Sequence, residues 1–320
     1  MSERTDRPVN PALVNLDIKA RVVTIGTFDG VHLGHQALIE AARKRALELG
    51  IDSMAVTFEP PPVLVLRPDV FKGRVASSED KIEFLKDLGL DEVVTISFNR
   101  DLAQLTPEAF MEMLAEGTGL RELWVGEAFA LGKNRAGNVD RLKEIGTELG
   151  FNVVALSRVT DSGQVISSSS VRHAVESGDV AQARRFLGRP FRISGEVVHG
   201  AHLGRTIGYP TANVVPPEHL VPLADGIYVS LARIGEDINS RPAMTYVGTR
   251  PTVNSGDRLI ETHLLDFNGD LYGQIIHVDF LERLRGDAVF AGVDALVAQL
   301  REDELATRTY LEAFIEMDVD

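Results

Sequence analysis

The 320-residue chain contains no cysteine. This absence excludes disulfide bridges, thiolate metal sites and cysteine nucleophiles, and it fits a reducing compartment. No apolar run reaches the length of a membrane span, and residues 1–20 are too polar for a secretory signal. We therefore expect a cytoplasmic protein without membrane attachment.

Basic residues are also scarce. The chain has 33 Lys and Arg residues against 47 Asp and Glu residues, which gives a formal net charge of −14. Binding to nucleic acid or to an anionic membrane needs a basic surface, so neither partner is expected and small molecules are the expected ligands. A hydrophobic content of 44% is typical of a globular protein, and this length allows two domains.

The first half alternates short apolar strands with helical patterns. The predicted strands are Val22–Ile25, Ser53–Phe58, Glu92–Phe98, Glu122–Val125 and Asn152–Leu156. The predicted helices are Gln36–Leu49, Ser78–Leu88, Pro107–Glu116 and Val139–Leu149. This alternation predicts a doubly wound parallel sheet, in which ligands bind beyond the carboxyl ends of the strands.

One loop carries most of the chemistry of this half. It joins the first predicted strand to the first predicted helix and reads Gly26-Thr27-Phe28-Asp29-Gly30-Val31-His32-Leu33-Gly34-His35-Gln36. A helix N-terminus offers unpaired N–H groups, and glycines allow the backbone to approach a ligand closely, so this loop predicts a phosphate site. His32 and His35, three residues apart, can face one anion from the same side.

A second polar stretch reads Ile166-Ser167-Ser168-Ser169-Ser170-Val171-Arg172 and precedes another helical pattern. Its serines can cap the helix. We expect Arg172 in the first helical turn, where it opposes the helix dipole unless an anion is bound nearby. Because a guanidinium group matches phosphate oxygens in a forked geometry, polyphosphate is the candidate ligand.

The pattern changes after Gly188-Arg189-Pro190. Short β-rich stretches without intervening helices predict an antiparallel sandwich or barrel; they are Arg192–His199, Gly226–Arg233, Met244–Val247, Ile260–Asp266 and Gln274–Leu281. Two helical segments, Val293–Leu300 and Leu305–Ile315, follow. We place the domain boundary at residues 187/188, which gives domains 1–187 and 188–320.

The second half contains a glycine-rich stretch, residues 200–213, that lacks the spacing and the lysine of a P-loop but can still fold N–H groups around phosphates. Thr211 and Asn213 would project on the same side of an extended strand, as two neutral oxygen ligands for hydrated Mg²⁺. Glu261, in a predicted strand, could act as a general base on an alcohol during phosphoryl transfer. An outward-facing strand glutamate is the alternative for this residue.

These motifs together resemble a known family. The histidine loop is similar to the H-x-G-H signature of α/β-phosphodiester nucleotidyltransferases, and Ile166–Arg172 is similar to their I-S-S-x-x-I-R element. The segments that resemble riboflavin kinase are Gly204–Asn213, Gly248–Val253 and Glu261–Gly273. From about Val22 to Phe290, this order resembles the bacterial bifunctional riboflavin kinase/FMN adenylyltransferase, or FAD synthetase, family.

The resemblance implies an α/β doubly wound nucleotidyltransferase domain followed by an antiparallel β-barrel kinase domain with C-terminal helices. It implies that riboflavin is phosphorylated by ATP to FMN, and that FMN is adenylylated by a second ATP to FAD with release of pyrophosphate. Mg²⁺ is the implied metal ion.

The resemblance also assigns residues. His32 and His35 would stabilise the ATP phosphates during adenylylation, and Glu261 would be the base of the kinase. The other implied nucleotide-binding residues are Gly26, Phe28, Asp29, Ser168, Arg172, Gly204, Arg205, Thr211 and Asn213, of which Thr211 and Asn213 would place the metal with ATP.

The sequence departs from the family pattern on loops expected to hold FMN. Pro61 stands where histidine is usual, Ala128 and Leu131 stand where Asp and Phe are usual, and Ala130 replaces a polar or basic residue. In the kinase half, Tyr246 replaces a usual asparagine and Asp287 a usual glutamate. The kinase assignment is therefore firmer than the adenylyltransferase assignment.

Three alternatives stay open at this point. The chain could be a riboflavin kinase with a degenerate or retargeted nucleotidyltransferase domain, or a non-catalytic flavin-binding paralogue. Class I aminoacyl-tRNA synthetases also use H-x-G-H, but the acidic charge and the absence of a K-M-S-K-S-like stretch oppose that class. The sequence makes no prediction of oligomeric state.

Overall fold

A computed structural model describes residues 11–14, 16–200, 203–249 and 258–318. The chain forms two compact units. One contains Met1–Lys72 and Ser78–Ser167, and the other contains Gly73–Ser77 and Ser168–Asp320. Within the described ranges, no helix is long and apolar enough to cross a membrane.

The first unit is an α/β domain built on a five-stranded parallel sheet. Its helices are α1 (Pro11–Val14), α2 (Leu33–Leu49), α3 (Pro62–Leu66), α4 (Ser78–Asp87), α5 (Pro107–Thr118) and α6 (Val139–Leu149). Its strands are β1 (Arg21–Ile25), β2 (Asp52–Glu59), β3 (Glu92–Ser97), β4 (Leu120–Gly126), β5 (Ala130–Leu131), β6 (Gly137–Asn138), β7 (Asn152–Leu156), β8 (Thr160–Asp161) and β9 (Gln164–Val165). The main sheet has the order β3-β2-β1-β4-β7, and β5-β6 and β8-β9 form two small hairpins.

Hydrophobic residues cover both faces of the central strand. Every residue of β1 is buried, as expected for a parallel strand between two layers of helices. Val22 packs with Ala42 and Ala46 of α2 on one face, whereas Val23 belongs to the larger core cluster with residues of α5 and α6 on the other. The predicted doubly wound architecture is therefore confirmed.

The second unit contains a closed six-stranded antiparallel barrel. Its elements are α7 (Ser168–Ser177), α8 (Val180–Leu187), β10 (Phe191–Val198), α9 (Leu203–Thr206), β11 (Ala212–Val214), β12 (Gly226–Ile234), β13 (Arg241–Thr249), β14 (Arg258–Leu264), β15 (Ile275–Arg285) and α10 (Val293–Asp318). The barrel has the strand order β10-β11-β14-β13-β12-β15. The predicted barrel is confirmed.

One long helix packs on the outside of the barrel. Leu311 and Phe314 of α10 form a buried cluster with Val229 of β12 and Leu281 of β15. The guanidinium group of Arg184, in α8, lies 4.4 Å from the centre of the Phe314 ring. The prediction of two terminal helices, Val293–Leu300 and Leu305–Ile315, is wrong, because α10 continues through residues 301–304 without a break.

Helices α7 and α8 belong to the barrel unit and not to the α/β unit. They bury Val175, Phe186 and Leu187 within it. The two compact units thus meet at Ser167/Ser168, which is upstream of the domain boundary predicted at residues 187/188. The boundary between the two catalytic domains at residues 187/188 stays a prediction.

Candidate active sites

The loop between β1 and α2 brings its histidines to the carboxyl end of the central strand. Left-handed backbone conformations turn the chain, with φ of 46° at Phe28, 78° at Gly30 and 42° at Val31. Such values are strained for a β-branched residue, and strain of this kind is concentrated at functional loops. Helix α2 begins at Leu33, with His32 as its N-cap.

The two imidazoles form a compact pair. The rings of His32 and His35 stack with centroids 3.7 Å apart and an interplanar angle of 18°. The Nδ1 atom of His32 accepts a hydrogen bond from the backbone N–H of His35 at 3.4 Å. A Cβ at Gly34 would lie 3.1 Å from the His32 ring, so glycine gives this ring the space to lie against the helix start.

Burial controls the charge of this pair. His32 is 6% exposed, and the Nδ1 atom of His35 is buried without a hydrogen-bond partner among the described residues. Desolvation lowers the pKa of His35 well below its ordinary value of 6.5, and the nearby His32 lowers it further. His35 is therefore neutral at pH 7, and it offers one N–H donor without a full positive charge.

A large cavity, about 1100 Å³ in volume, opens at this edge of the sheet. Gly26, Phe28, His32 and His35 line it. So do Ile25, Phe58, Gly126 and Leu156, from the carboxyl ends of four parallel strands. The predicted position of the ligand site is thus supported, although Asp29 does not line this cavity.

Three of the four positions that depart from the family pattern in this half are part of the same wall. Ala128, Ala130 and Leu131 line the cavity, whereas Pro61 does not and its neighbour Pro62 does. They make this part of the cavity apolar, so a ligand here would be held mainly by shape and by the aromatic side chains around it.

Three arginines at this cavity were missed by the sequence analysis. Arg67, Arg135 and Arg158 line it, and they add positive charge to an acidic protein. The Nε atom of Arg158 lies 3.6 Å from Oε1 of Glu127, and both side chains are about half exposed. A sequence signal existed for Arg135, in the loop after β4, and for Arg158, just after β7, because both follow strands at the edge where ligands bind.

The other two predicted phosphate ligands belong to the barrel unit. Ser168 is the first residue of α7. Because the helix begins there, Arg172 lies just beyond its first turn, and the expected placement within that turn is wrong. The Nε atom of Arg172 donates a hydrogen bond to the Gly73 carbonyl oxygen at 2.9 Å. The predicted roles of Ser168 and Arg172 at a nucleotide stay predictions.

The strand register of the barrel assembles a second site. Asn213 pairs with Glu261, Glu261 with Tyr246, and Tyr246 with Ile227, which pairs in turn with Arg285. These five residues therefore form one row across five neighbouring strands. All five line a single cavity of about 360 Å³, a size in the range of small-molecule sites.

The remaining predicted kinase residues line the same cavity. Thr211 lies two residues before Asn213 on the same side of the chain, and Gly204 and Arg205 come from the glycine-rich stretch. Glu261 lines the cavity, whereas its neighbours Ile260 and Thr262 are buried on the other face of β14. Its role as a general base stays a prediction. Residues 201–202 of the glycine-rich stretch and residues 250–253 of the matching segment Gly248–Val253 lie outside the described residues.

Two residues of the matching segments, His263 and Tyr209, were given no role by the sequence but help to shape this cavity. His263 lines it, and its Nδ1 atom lies 2.7 Å from the Pro210 carbonyl oxygen, which accepts a hydrogen bond. The hydroxyl group of Tyr209 donates to Glu304 at 3.1 Å. Burial, together with Glu304, raises the pKa of Tyr209, so this hydroxyl group stays a donor. These contacts hold the turn that precedes Thr211.

The donor set at this cavity fits a hydrated Mg²⁺. The side chains of Thr211 and Asn213 supply two neutral oxygens, and Mg²⁺ keeps several of its waters and takes other ligands from substrate phosphates. Across the described ranges, there is no group of three or more His, Cys, Asp or Glu residues that could form an all-protein metal site.

Comparisons with known proteins match two protein families, one to each half of the chain. A family model for FAD synthetase matches residues 15–170, and one for riboflavin kinase matches residues 187–311. A bifunctional riboflavin kinase/FMN adenylyltransferase from Pseudomonas fluorescens is 41% identical over 90% of this chain and 92% of its own. One from Escherichia coli strain K12 is 38% identical, with the same coverage of both chains.

One solved structure is similar to nearly the whole length of the chain. It is described as a macrolide-efflux protein from Streptococcus pneumoniae, is 32% identical, and matches with a TM-score of 0.84 over 94% of this chain and 97% of its own. Both domain families match in colinear order, and relatives well above 30% identity span nearly the full length. The chain belongs to the bifunctional riboflavin kinase/FMN adenylyltransferase family.

Proposed function

We propose that the two cavities divide the two reactions of the family between the two units. The barrel cavity transfers the γ-phosphoryl group of ATP to riboflavin and forms FMN and ADP. The cavity at the α/β sheet transfers the adenylyl group of a second ATP to FMN, which forms FAD and releases pyrophosphate. ATP, riboflavin, FMN and FAD are thus the small molecules that the chain binds.

The row of five paired residues across the barrel is the observation that supports the kinase assignment. It places Glu261 beside Asn213 in one cavity, with Thr211 close to Asn213 in the chain. Glu261 accepts the proton of the terminal ribityl hydroxyl as its oxygen attacks the γ-phosphorus. Gly204 and Arg205 contribute to phosphate binding, and Thr211 and Asn213 would hold Mg²⁺, which neutralises phosphate charge when bound.

The stacked histidines carry the adenylyltransferase assignment. An FMN phosphate oxygen attacks the α-phosphorus of ATP, and the bond to pyrophosphate breaks. His32 and His35, with the N–H groups at the start of α2, stabilise negative charge on the phosphates. Neither reaction needs a covalent intermediate with the protein, because positioning and charge stabilisation are sufficient.

The part of this second site that would bind FMN, the acceptor of the adenylyl group, is the part where the sequence departs from the family pattern. Gly26 and Phe28 build the cavity around the histidines, and Asp29, Ser168 and Arg172 complete the proposed nucleotide site. The apolar residues Ala128 and Ala130 on the cavity wall favour a second candidate, a kinase whose nucleotidyltransferase site takes FMN poorly or takes another acceptor.

One experiment separates these functions. The purified protein is incubated with riboflavin, ATP and Mg²⁺, and the flavins are separated by chromatography. We expect FMN and FAD. Accumulation of FMN without FAD would support the kinase-only candidate, whereas unchanged riboflavin would contradict the proposed function. We further propose that the protein acts in the cytoplasm on these small molecules, without nucleic acid as a partner.

A further inference from the structure

Tyr246 is the immediate neighbour of Glu261 in the row across the barrel. The two residues are directly paired on β13 and β14, and both side chains line the 360 Å³ cavity. On its other side, Tyr246 pairs with Ile227 of β12, which also lines the cavity. Tyr246 therefore separates the carboxylate at Glu261 from the apolar part of the same cavity.

The phenol ring of Tyr246 occupies a space that a glycine on the same strand leaves open. Gly248 lies two residues further along β13 and so on the same face. A Cβ at Gly248 would overlap the phenol oxygen of Tyr246. The ring therefore lies along the strand over Gly248, and its hydroxyl group is directed away from the middle of β13.

The hydroxyl group of Tyr246 meets the carboxylate of Asp287. Burial raises the pKa of Tyr246, and the charge of Asp287 and a hydrogen bond to it raise that pKa further. The hydroxyl group therefore stays protonated and donates to Asp287. Both residues line the cavity, so this contact lies at the substrate site and not on a remote surface.

Asp287 belongs to a short exposed segment, and its Oδ1 atom also accepts a hydrogen bond from the backbone N–H of Ala288 at 2.9 Å. Residues 286–289 are exposed, and Val289 is fully exposed. The segment is fixed at its start, because Arg285 makes an ion pair with the buried Asp303 of α10 at 2.7 Å. Further along, Phe290 lines the cavity, and the guanidinium group of Arg285 lies 5.7 Å from the centre of its ring.

We propose that Tyr246 is a positioning residue of the kinase, which acts by holding Asp287 and with it the wall formed by residues 286–290. This wall carries Phe290, which lines the same cavity and offers an aromatic surface to the flavin ring system. Its position sets the distance between the bound ring and the base, and so brings the ribityl hydroxyl to Glu261. The inference rests on the kinase function proposed above.

The test removes the hydrogen bond from either side. In Tyr246→Phe, the ring stays and only the hydroxyl group is lost; in Asp287→Ala, the exposed segment loses its carboxylate. Each variant should raise the riboflavin KM by about 10-fold, the scale of a lost hydrogen bond to a charged group. The ATP KM should be unchanged. Tyr246→Phe/Asp287→Ala should be no worse than either single variant, and Asp287→Asn, which keeps an acceptor, should recover most of the loss.

Tyr228→Phe is the matched control. Tyr228 lies on the adjacent strand of the same barrel, and its hydroxyl group donates to the Ala224 carbonyl oxygen at 2.6 Å, but it does not line the cavity. This variant should lower Tm without changing the riboflavin KM. If the variants acted only by destabilising the barrel, the riboflavin KM would change in Tyr228→Phe as it does in Tyr246→Phe and Asp287→Ala.

Three results would overturn the inference: an unchanged riboflavin KM in Asp287→Ala, effects of the two single variants that multiply in the double variant, or an equal KM change in Tyr228→Phe. Because Asp287 is exposed, its substitution leaves the fold intact and keeps the test valid even if Tyr246→Phe folds poorly. Failure of the wild-type protein to make FMN would contradict the proposed kinase function itself and not this inference.

Discussion

His32 and His35 share one small space at the start of α2, where their rings stack with centroids 3.7 Å apart. Two protonated imidazoles at this distance would repel each other, and burial already lowers the pKa of His35. The pair can therefore offer N–H donors to a polyphosphate while it carries at most one positive charge.

Removal of the capping imidazole should separate the two activities. In His32→Ala, we expect FAD formation from FMN to be lost, because the residue is both the helix cap and a phosphate donor. Riboflavin phosphorylation should be unchanged, since the barrel cavity contains neither histidine. Both activities are measured by flavin chromatography, with FMN as the starting flavin for FAD formation and riboflavin as the starting flavin for phosphorylation. FAD formation at the wild-type rate would remove His32 from the mechanism.

Acid should destabilise the α/β unit through His35. Its folded pKa lies well below 6.5 because of desolvation, so below pH 6.5 the unfolded chain binds a proton that the folded unit resists. The free energy of unfolding should therefore fall as the pH drops from about 7.5 to about 5, and His35→Gln should reduce this slope. Trp124, the only tryptophan, lies in β4 and reports unfolding of this unit by fluorescence. An identical slope in His35→Gln would contradict the prediction.

The kinase should depend on one carboxylate. In Glu261→Gln, turnover should fall by about 100-fold, the usual scale for the loss of a general base, while riboflavin binding changes little. Glu196→Gln is the matched control, because Glu196 is an exposed glutamate on β10 of the same barrel. Steady-state phosphorylation and flavin fluorescence titration separate turnover from binding. Wild-type turnover in Glu261→Gln would exclude it as the base.

The α/β half could be predicted because its signals are local. Each predicted strand overlaps an observed strand, since continuous apolar runs and glycine after each helix mark the boundaries directly. The histidine loop was found in the same way, because the strand, the loop and the helix start are contiguous. What the sequence could not reveal is Arg67, which reaches the cavity only in the folded structure.

The barrel half was harder because its site depends on pairing between distant strands. Tyr246 and Arg285 reach the cavity only through the register of β12, β13 and β15, which no local pattern encodes. The two predicted terminal helices leave out residues 301–304, which are all charged. In the structure, Asp303 pairs with Arg285 and Glu304 with Tyr209, so these residues face partners and the helix continues.

The kinase should be separable from the adenylyltransferase. A fragment of residues 188–320 should phosphorylate riboflavin and make no FAD. A fragment of residues 168–320 should behave likewise but with a higher Tm, because it retains α7 and α8 and the buried Phe186 and Leu187. Activity assays and thermal unfolding compare the two. If the shorter fragment is folded yet inactive, the boundary at 187/188 is wrong for the kinase domain.

FAD formation should survive the apolar substitutions around the FMN side of its site. His32 and His35, which face the ATP phosphates in our proposal, are intact, whereas Ala128 and Ala130 change only the wall of the cavity. We therefore expect weaker FMN binding and little change in the rate of adenylyl transfer itself. Arg158 supplies a remaining positive charge at this cavity. Arg158→Ala should raise the FMN KM further, with little change in the ATP KM.

The decisive measurement supplies FMN, ATP and Mg²⁺ and follows FAD and pyrophosphate as the FMN concentration is raised. We expect both products in equal amounts, because each adenylyl transfer releases one pyrophosphate. Rates should continue to rise at FMN concentrations that would saturate a tighter site. If the wild-type protein forms no FAD at saturating FMN, the adenylyltransferase assignment fails, and the chain acts as a kinase alone. Pyrophosphate release without FAD would instead indicate a different acceptor for the adenylyl group.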